Sequence, residues 1–112
     1  MKYAIPVSGG VMSPHFGHCE HFALIDVDEA SKQIVKKEML IPPPHAPGVL
    51  PVWLAQQGAN LILSGGMGGH AQDLFRQNGV AVVIGVSEPD PEKAVMDHLN
   101  GTLASGGNLC DH

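Results

Sequence analysis

Three apolar segments of strand length stand in the first forty residues with only glycine-containing or polar turns between them, and helix–strand alternation follows. Lys2-Tyr3-Ala4-Ile5-Pro6-Val7 reads as the first strand, ended by Ser8-Gly9-Gly10. Pro6 inside it implies that its nitrogen faces a side that is not fully paired. A loop to Glu20 leads into a second strand, His21-Phe22-Ala23-Leu24-Ile25-Asp26-Val27. The polar turn Asp28-Glu29-Ala30-Ser31 precedes a third, residues 33–40, and strands two and three form an antiparallel hairpin. The character then changes. Pro42-Pro43-Pro44-His45-Ala46-Pro47 is a stiff extended connector into a helix over residues 48–57. That helix has Val49, Leu50, Trp53 and Leu54 on its apolar face, Pro51 in its first turn and Gly58 as its stop. A short strand at 60–64, a glycine run, a helix at 70–78 burying Ala71, Leu74 and Phe75, and a strand at 80–86 come next. The last of these has the composition of a strand buried on both faces. Asp90-Pro91-Glu92 supplies an N-cap, a first-position proline and an acidic first turn for a final helix ending near Asn100-Gly101.

The order β-β-β-α-β-α-β-α demands right-handed parallel crossovers in its second half. The expectation is therefore an α/β fold with a ribonuclease-H-like motif: a five-stranded mixed sheet in the order 3-2-1-4-5, strand two alone antiparallel, with three helices. At 112 residues this is one domain over residues 1–103, with a flexible tail at 104–112. An apolar content of 44% argues against disorder. A net charge of −5 with scattered lysines and arginines excludes nucleic acid, since no basic stripe exists to neutralise phosphates. No stretch approaches a membrane span, and the N-terminus runs directly into a strand rather than a signal peptide. The expected location is cytoplasmic, with no membrane partner.

Within residues 13–21, His15, His18, Cys19 and His21 crowd together, and imidazole and thiolate are the side chains that hold borderline and soft metals or metal–sulfur clusters. His45, His70, His98, Cys110 and His112 follow. In an open α/β sheet, ligands bind at the carboxyl ends of the parallel strands, near the reversal of strand order. The loop after strand one (His15, His18, Cys19), the start of strand two (His21), the loop after strand three (His45) and the glycine run with His70 all fall on that edge. Gly65-Gly66-Met67-Gly68-Gly69 lets backbone approach a ligand closely, and the helix behind it offers free N–H groups to an anion. It is neither a Walker A loop nor a GxGxxG fingerprint. A bulky anionic metal–sulfur cluster suits it better than a nucleotide.

Ser13-Pro14-His15-Phe16-Gly17 after an N-terminal strand, with Leu63-Ser64-Gly65-Gly66-Met67-Gly68 in mid-chain, resembles the dinitrogenase iron–molybdenum cofactor biosynthesis family of small nitrogenase cofactor carriers and orange-protein-like chains. The resemblance covers nearly the whole chain. It implies a ribonuclease-H-like fold and non-enzymatic binding or carriage of a metal–sulfur cluster, iron–molybdenum-cofactor-like or iron–sulfur, in metallocofactor assembly. Cofactor-assembly proteins are the implied partners. His18, Cys19, His21 and the Cys110-Asp111-His112 end depart from plainer members and suit a directly ligated metal.

The candidate site thus comprises Gly65, Gly66, Met67, Gly68, Gly69 and His15 around the cofactor, with Cys19, His18, His21 and His70 as metal ligands. Each has a plainer reading. His15 serves equally to fix its turn through ring hydrogen bonds. Strand alternation puts His21 on the face of Cys19 if pairing begins that early. Met67 suits a gap-filler as well as a thioether ligand. His45 reads as a solvated loop residue, His70 as an ordinary first-turn residue, and His98 as a helix-end residue stabilised by the dipole. The tail starts from the opposite edge, and its eleven residues after Gly101 span about 36 Å at most. Two other functions remain open. A simple zinc- or copper-binding module would use Cys19 with histidines. A metal-dependent hydrolase would need clustered carboxylates, and Glu20, Asp73, Glu88 and Asp90 are poorly placed for that.

Overall fold

The computed structural model describes residues 1–13, 19–44 and 48–103. His15, His18, His45, Cys110 and His112, and with them the expected tail, lie outside the described residues. The central strand, β1 (Lys2–Ser8), pairs antiparallel with β3 (His21–Asp28) from Lys2↔Asp26 to Val7↔His21. β3 pairs antiparallel with β4 (Gln33–Leu40), with a register shift at Asp26/Val27. On its other side β1 runs parallel to β5 (Leu61–Leu63), which runs parallel to β6 (Ala81–Val83). The order across the sheet is β4-β3-β1-β5-β6.

Alternation sorts the side chains. The odd residues Tyr3, Ile5 and Val7 of β1 and Ala23, Ile25 and Val27 of β3 pack with Leu61, Leu63, Ala94 and Val95 under helix α3 (Pro91–Leu99). The even residues Ala4, Phe22 and Leu24 pack with Ile62 on the opposite face, under α1 (Val49–Gln56) and α2 (Gly69–Gln77). Leu50, Leu54 and Phe75 come from those helices. Covered on both faces, β1 reads as a continuous apolar run. None of the helices is long and apolar enough to cross a membrane, among the described residues.

The structure corrects the expected architecture in two places. The sheet has six strands rather than five, because Val11–Met12 forms a short β2 that folds back on β1 through Val7↔Met12 and Ser8↔Val11. Gly9 and Gly10, at φ 62 and 82, make the two-residue turn, and both central positions of such a hairpin need positive φ. A two-residue strand carries no periodicity, so its signal is the Gly-Gly pair alone. The position of β2 also accounts for Pro6. Ser13 N–H donates to the Pro6 carbonyl at 2.8 Å on the side where the β5 ladder has ended, so the proline nitrogen faces beyond the β5 pairing. Secondly, the expected strand over 80–86 shortens to the three-residue edge strand β6, which is covered only in part on each face: Val82 packs on the α1–α2 side and Val83 on the α3 side, both half-buried, while Ala81 is exposed.

Helix boundaries follow local chemistry. The Asp90 carboxylate accepts from the Glu92 amide at 3.0 Å, with Pro91 at the first helical position, and opens α3. Gly58 and Gly79, at φ 87 and 79, follow the ends of α1 and α2. A side chain at Gly10 would meet nothing within 4 Å, so the cost of replacing it is conformational. Gly10→Val is expected to lose about 1–2 kcal/mol in chemical denaturation through the positive φ alone.

Candidate functional site

β4 and β1 point the same way through their shared antiparallel neighbour, so the carboxyl ends of β1, β4, β5 and β6 meet the start of β3 at one edge. Main-chain hydrogen bonds tie the loops of that edge together. Met12 N–H donates to the Pro89 carbonyl at 2.8 Å, joining the β1–β2 hairpin to the segment before α3. Gly85 and Val86 amides donate to the Gly65 and Ser64 carbonyls at 3.0 and 3.2 Å. The Glu20 amide donates to the Val7 carbonyl and the Ser8 hydroxyl, while its carboxylate accepts from Gly9 N–H at 2.7 Å.

The glycine run divides in two. Ser64, Gly65, Gly66 and Met67 are buried. The Ser64 hydroxyl donates to the Gly66 carbonyl at 3.0 Å, and Met67 lies fully inside the core beneath α1 and α2. Met67 therefore acts as the loop's apolar anchor, and the gap-filling reading of it is the one its burial supports. Gln72 holds the loop from the helix side, its side-chain amide donating to the Met67 carbonyl at 3.0 Å and its backbone amide to Gly68 at 3.1 Å. Neither Ser64 nor Gln72 is among the candidate site residues read from the sequence, although Ser64 stands within the Leu63–Gly68 motif. Ser64 adjoins the glycines, but nothing local marks a glutamine five residues beyond Met67.

Gly68 and Gly69 surface where Met67 does not. Both are exposed, neither has a positive φ, and a side chain added at either would meet nothing within 4 Å. Within the chain itself, neither the backbone conformation nor the packing calls for glycine there, although glycine at a helix start costs conformational entropy. What the two residues provide is bare backbone at the mouth of α2, where the first-turn amides have no intrahelical acceptor. His70 stands exposed beside them.

Cys19 and His21 separate. Cys19 is half-buried and packs against the core beneath α1 and α2, whereas His21 pairs with Val7, whose side chain lies on the α3 face. The shared face expected from alternation is not formed, because β3 begins only at His21 and the chain bends at Glu20. Burial pushes the Cys19 thiol up to about 11, with backbone hydrogen bonds of Cys19 and Val7 pulling the other way. It is held as a thiol near neutrality, and metal binding there would release a proton. Among the described residues, no group of three or more His, Cys, Asp or Glu side chains is gathered to hold a metal ion. His98 lies at the far end of the sheet, where its Nδ1 is 2.6 Å from the Tyr3 hydroxyl and the two rings meet edge-on at 5.4 Å. Burial, then Glu29, raises the pKa of Tyr3.

Residues 1–101 match the model of the family described as dinitrogenase iron-molybdenum cofactor. An uncharacterized protein of Methanocaldococcus jannaschii is 32% identical over 87 residues, which span 73% of this chain and 72% of that protein. The crystal structure of PH0822 superposes with a TM-score of 0.85 at 27% identity, covering 94% of each chain. The apo form of the orange protein from Desulfovibrio gigas shares the fold, with a TM-score of 0.75 at 23% identity over 96% of this chain and 93% of that one.

The thiol gives a direct check of the site's geometry. In a Cys110→Ser background, alkylation of Cys19 by iodoacetamide is expected to be slow at neutral pH and to rise along a titration centred near 11. Unfolding in denaturant returns it to the ordinary thiol range. A folded-state titration in that ordinary range would contradict the burial described.

Proposed function

As this chain belongs to the dinitrogenase iron–molybdenum cofactor family, we propose that it is a non-enzymatic, cytoplasmic binder and carrier of a metal–sulfur cluster, iron–molybdenum-cofactor-like or iron–sulfur, in metallocofactor assembly. In this reading the sheet and its crossovers are a ribonuclease-H-like motif used as a platform. Cofactor-assembly proteins are the donors and acceptors.

The observation that carries the proposal is the pair Gly68-Gly69: exposed, in ordinary backbone conformation and with open space where side chains would stand. Glycines that the chain's own packing does not demand are explained by a bulky ligand approaching the backbone. Amides at the start of α2 donate to sulfide, where the helix dipole favours negative charge. With a net charge of −5 on the protein, this local donor field supplies the attraction that the overall charge does not. In this reading His70, exposed beside the glycines, contributes an imidazole, and Cys19 a thiolate once its proton is displaced. His15 and His18, which precede Cys19 in the sequence, are assigned to the same cargo, and His21 stands at the start of β3. Met67 is assigned to the loop's anchoring and not to the cargo.

The test is anaerobic reconstitution with iron, molybdate and sulfide, followed by visible absorption and metal and sulfide analysis of the gel-filtered protein. A coloured protein with bound metal and acid-labile sulfide is expected. A colourless protein carrying one zinc and no sulfide would sink the carrier reading in favour of a simple metal-binding module. Gly68→Val and Gly69→Val are expected to change stability by less than about 0.5 kcal/mol, as for surface substitutions, yet to lower cluster retention by at least about tenfold. Retention unchanged in both would remove the glycine mouth from the site.

A further inference from the structure

On the carrier reading, we infer that Gln72 is a positioning residue of the glycine loop. It holds the Met67–Gly68 peptide so that the Gly68 amide, and not the Met67 carbonyl, is presented to the cargo. The loop's carbonyls support this. From Ser64 to Gly68 each of five consecutive main-chain oxygens accepts a hydrogen bond from the protein itself. Ser64 and Gly65 accept from the Val86 and Gly85 amides at 3.2 and 3.0 Å. Gly66 accepts from the Ser64 hydroxyl at 3.0 Å. Met67 accepts from Gln72 Nε2 at 3.0 Å, and Gly68 from the Gln72 main-chain amide at 3.1 Å. A carbonyl oxygen turned toward an anionic sulfide repels it, and every one in this stretch is engaged within the protein.

Gln72 controls the last two of these oxygens, which flank the exposed Gly68. In a trans peptide the N–H points opposite to the C=O. The side-chain hold on the Met67 oxygen therefore aims the Gly68 N–H away from Gln72, and the main-chain hold on the Gly68 oxygen does the same for the Gly69 N–H. The Gln72 amide is itself held one way round. Arg76 Nη2 donates to Gln72 Oε1 at 3.3 Å, while Arg76 Nη1 is 3.4 Å from Asp73. A guanidinium only donates and a carbonyl only accepts, so Nε2 is the end that faces Met67. Such support matters because of what the loop is made of. Glycine tolerates nearly any backbone angle, so a peptide beside Gly68 turns over more readily than one between two larger residues. Turned over, it would offer the Met67 oxygen in place of the Gly68 amide. The bareness that admits a bulky ligand thus loosens one peptide plane, and Gln72 fixes it.

Gln72→Met tests this, because it keeps the length of the side chain and suits a helix but has no donor. Nuclear magnetic resonance of the cluster-free protein reads the geometry without any cargo. The Met67 carbonyl-carbon and Gly68 amide-nitrogen resonances are expected to move, while the Gly69 amide, held through the Gln72 main chain, stays with the parent. A general loosening of the helix start would move both glycines together. After anaerobic reconstitution with iron, molybdate and sulfide, cluster retention is expected to fall by at least about fivefold, the worth of one hydrogen bond. Gln72→Glu at neutral pH turns an acceptor toward the Met67 carbonyl, and gives the same cluster-free signature should the methionine variant misfold. Unmoved Met67 and Gly68 resonances overturn the inference, as do Gly68 and Gly69 moving together. A moved Gly68 resonance with retention equal to the parent's overturns it too. In these three cases a parent that holds its cluster leaves the carrier reading standing. A parent that takes up no cluster overturns the carrier reading, and the role of Gln72 with it.

Discussion

The two hydrogen-bond ladders of β1 set everything else in place. One side of this strand is antiparallel to β3 and the other parallel to β5, so the reversal of strand order occurs at β1 itself. The ladder to β3 fixes register over six residue pairs, and register decides which side chains face α3 and which face α1 and α2. A slip of one residue would exchange Tyr3, Ile5 and Val7 for Ala4 and Pro6 under α3. The ladder to β5 is short, and it delivers the chain directly into Ser64 and the glycine loop. The candidate site is thus a consequence of where this one strand ends.

Parts of this were legible in the sequence because they rest on local chemistry. Asp90-Pro91-Glu92 announces a helix start, and the alternation from Phe22 to Val27 belongs to a strand with two covered faces. The pieces that were not legible depend on neighbours. β2 exists because Gly9-Gly10 turns the chain back onto β1, and its two residues have no pattern of their own. The parting of Cys19 from His21 is set by where β3 begins, which pairing with Val7 decides and composition does not. The residue types of the glycine run are equally uninformative about depth. Met67 inside and Gly68 outside differ by one position, and it takes the packing of Phe75 and Ile62 to tell anchor from mouth.

The two ends of the sheet are built differently. At the far end the Tyr3–His98 hydrogen bond and the Asn60 side chain, which accepts from the Lys2 amide at 2.8 Å, use particular side chains to join α3 and β5 to the start of β1. At the carboxyl edge the joints named between hairpin, glycine loop and pre-α3 segment run mainly through the backbone. The far end thus adds side-chain joints to its main-chain bonds, Asn60 N–H to the Lys2 carbonyl at 2.8 Å among them, while the joints between the carboxyl-edge loops are indifferent to most side chains.

That indifference has an evolutionary consequence. A loop held by its own amides and carbonyls can exchange its side chains through mutation without dismantling the frame, so the residues presented at the edge are free to drift. A superposition at 27% identity with a TM-score of 0.85 is what such a frame permits. Chains that share this scaffold can therefore differ in the side chains set along the edge while keeping the same fold.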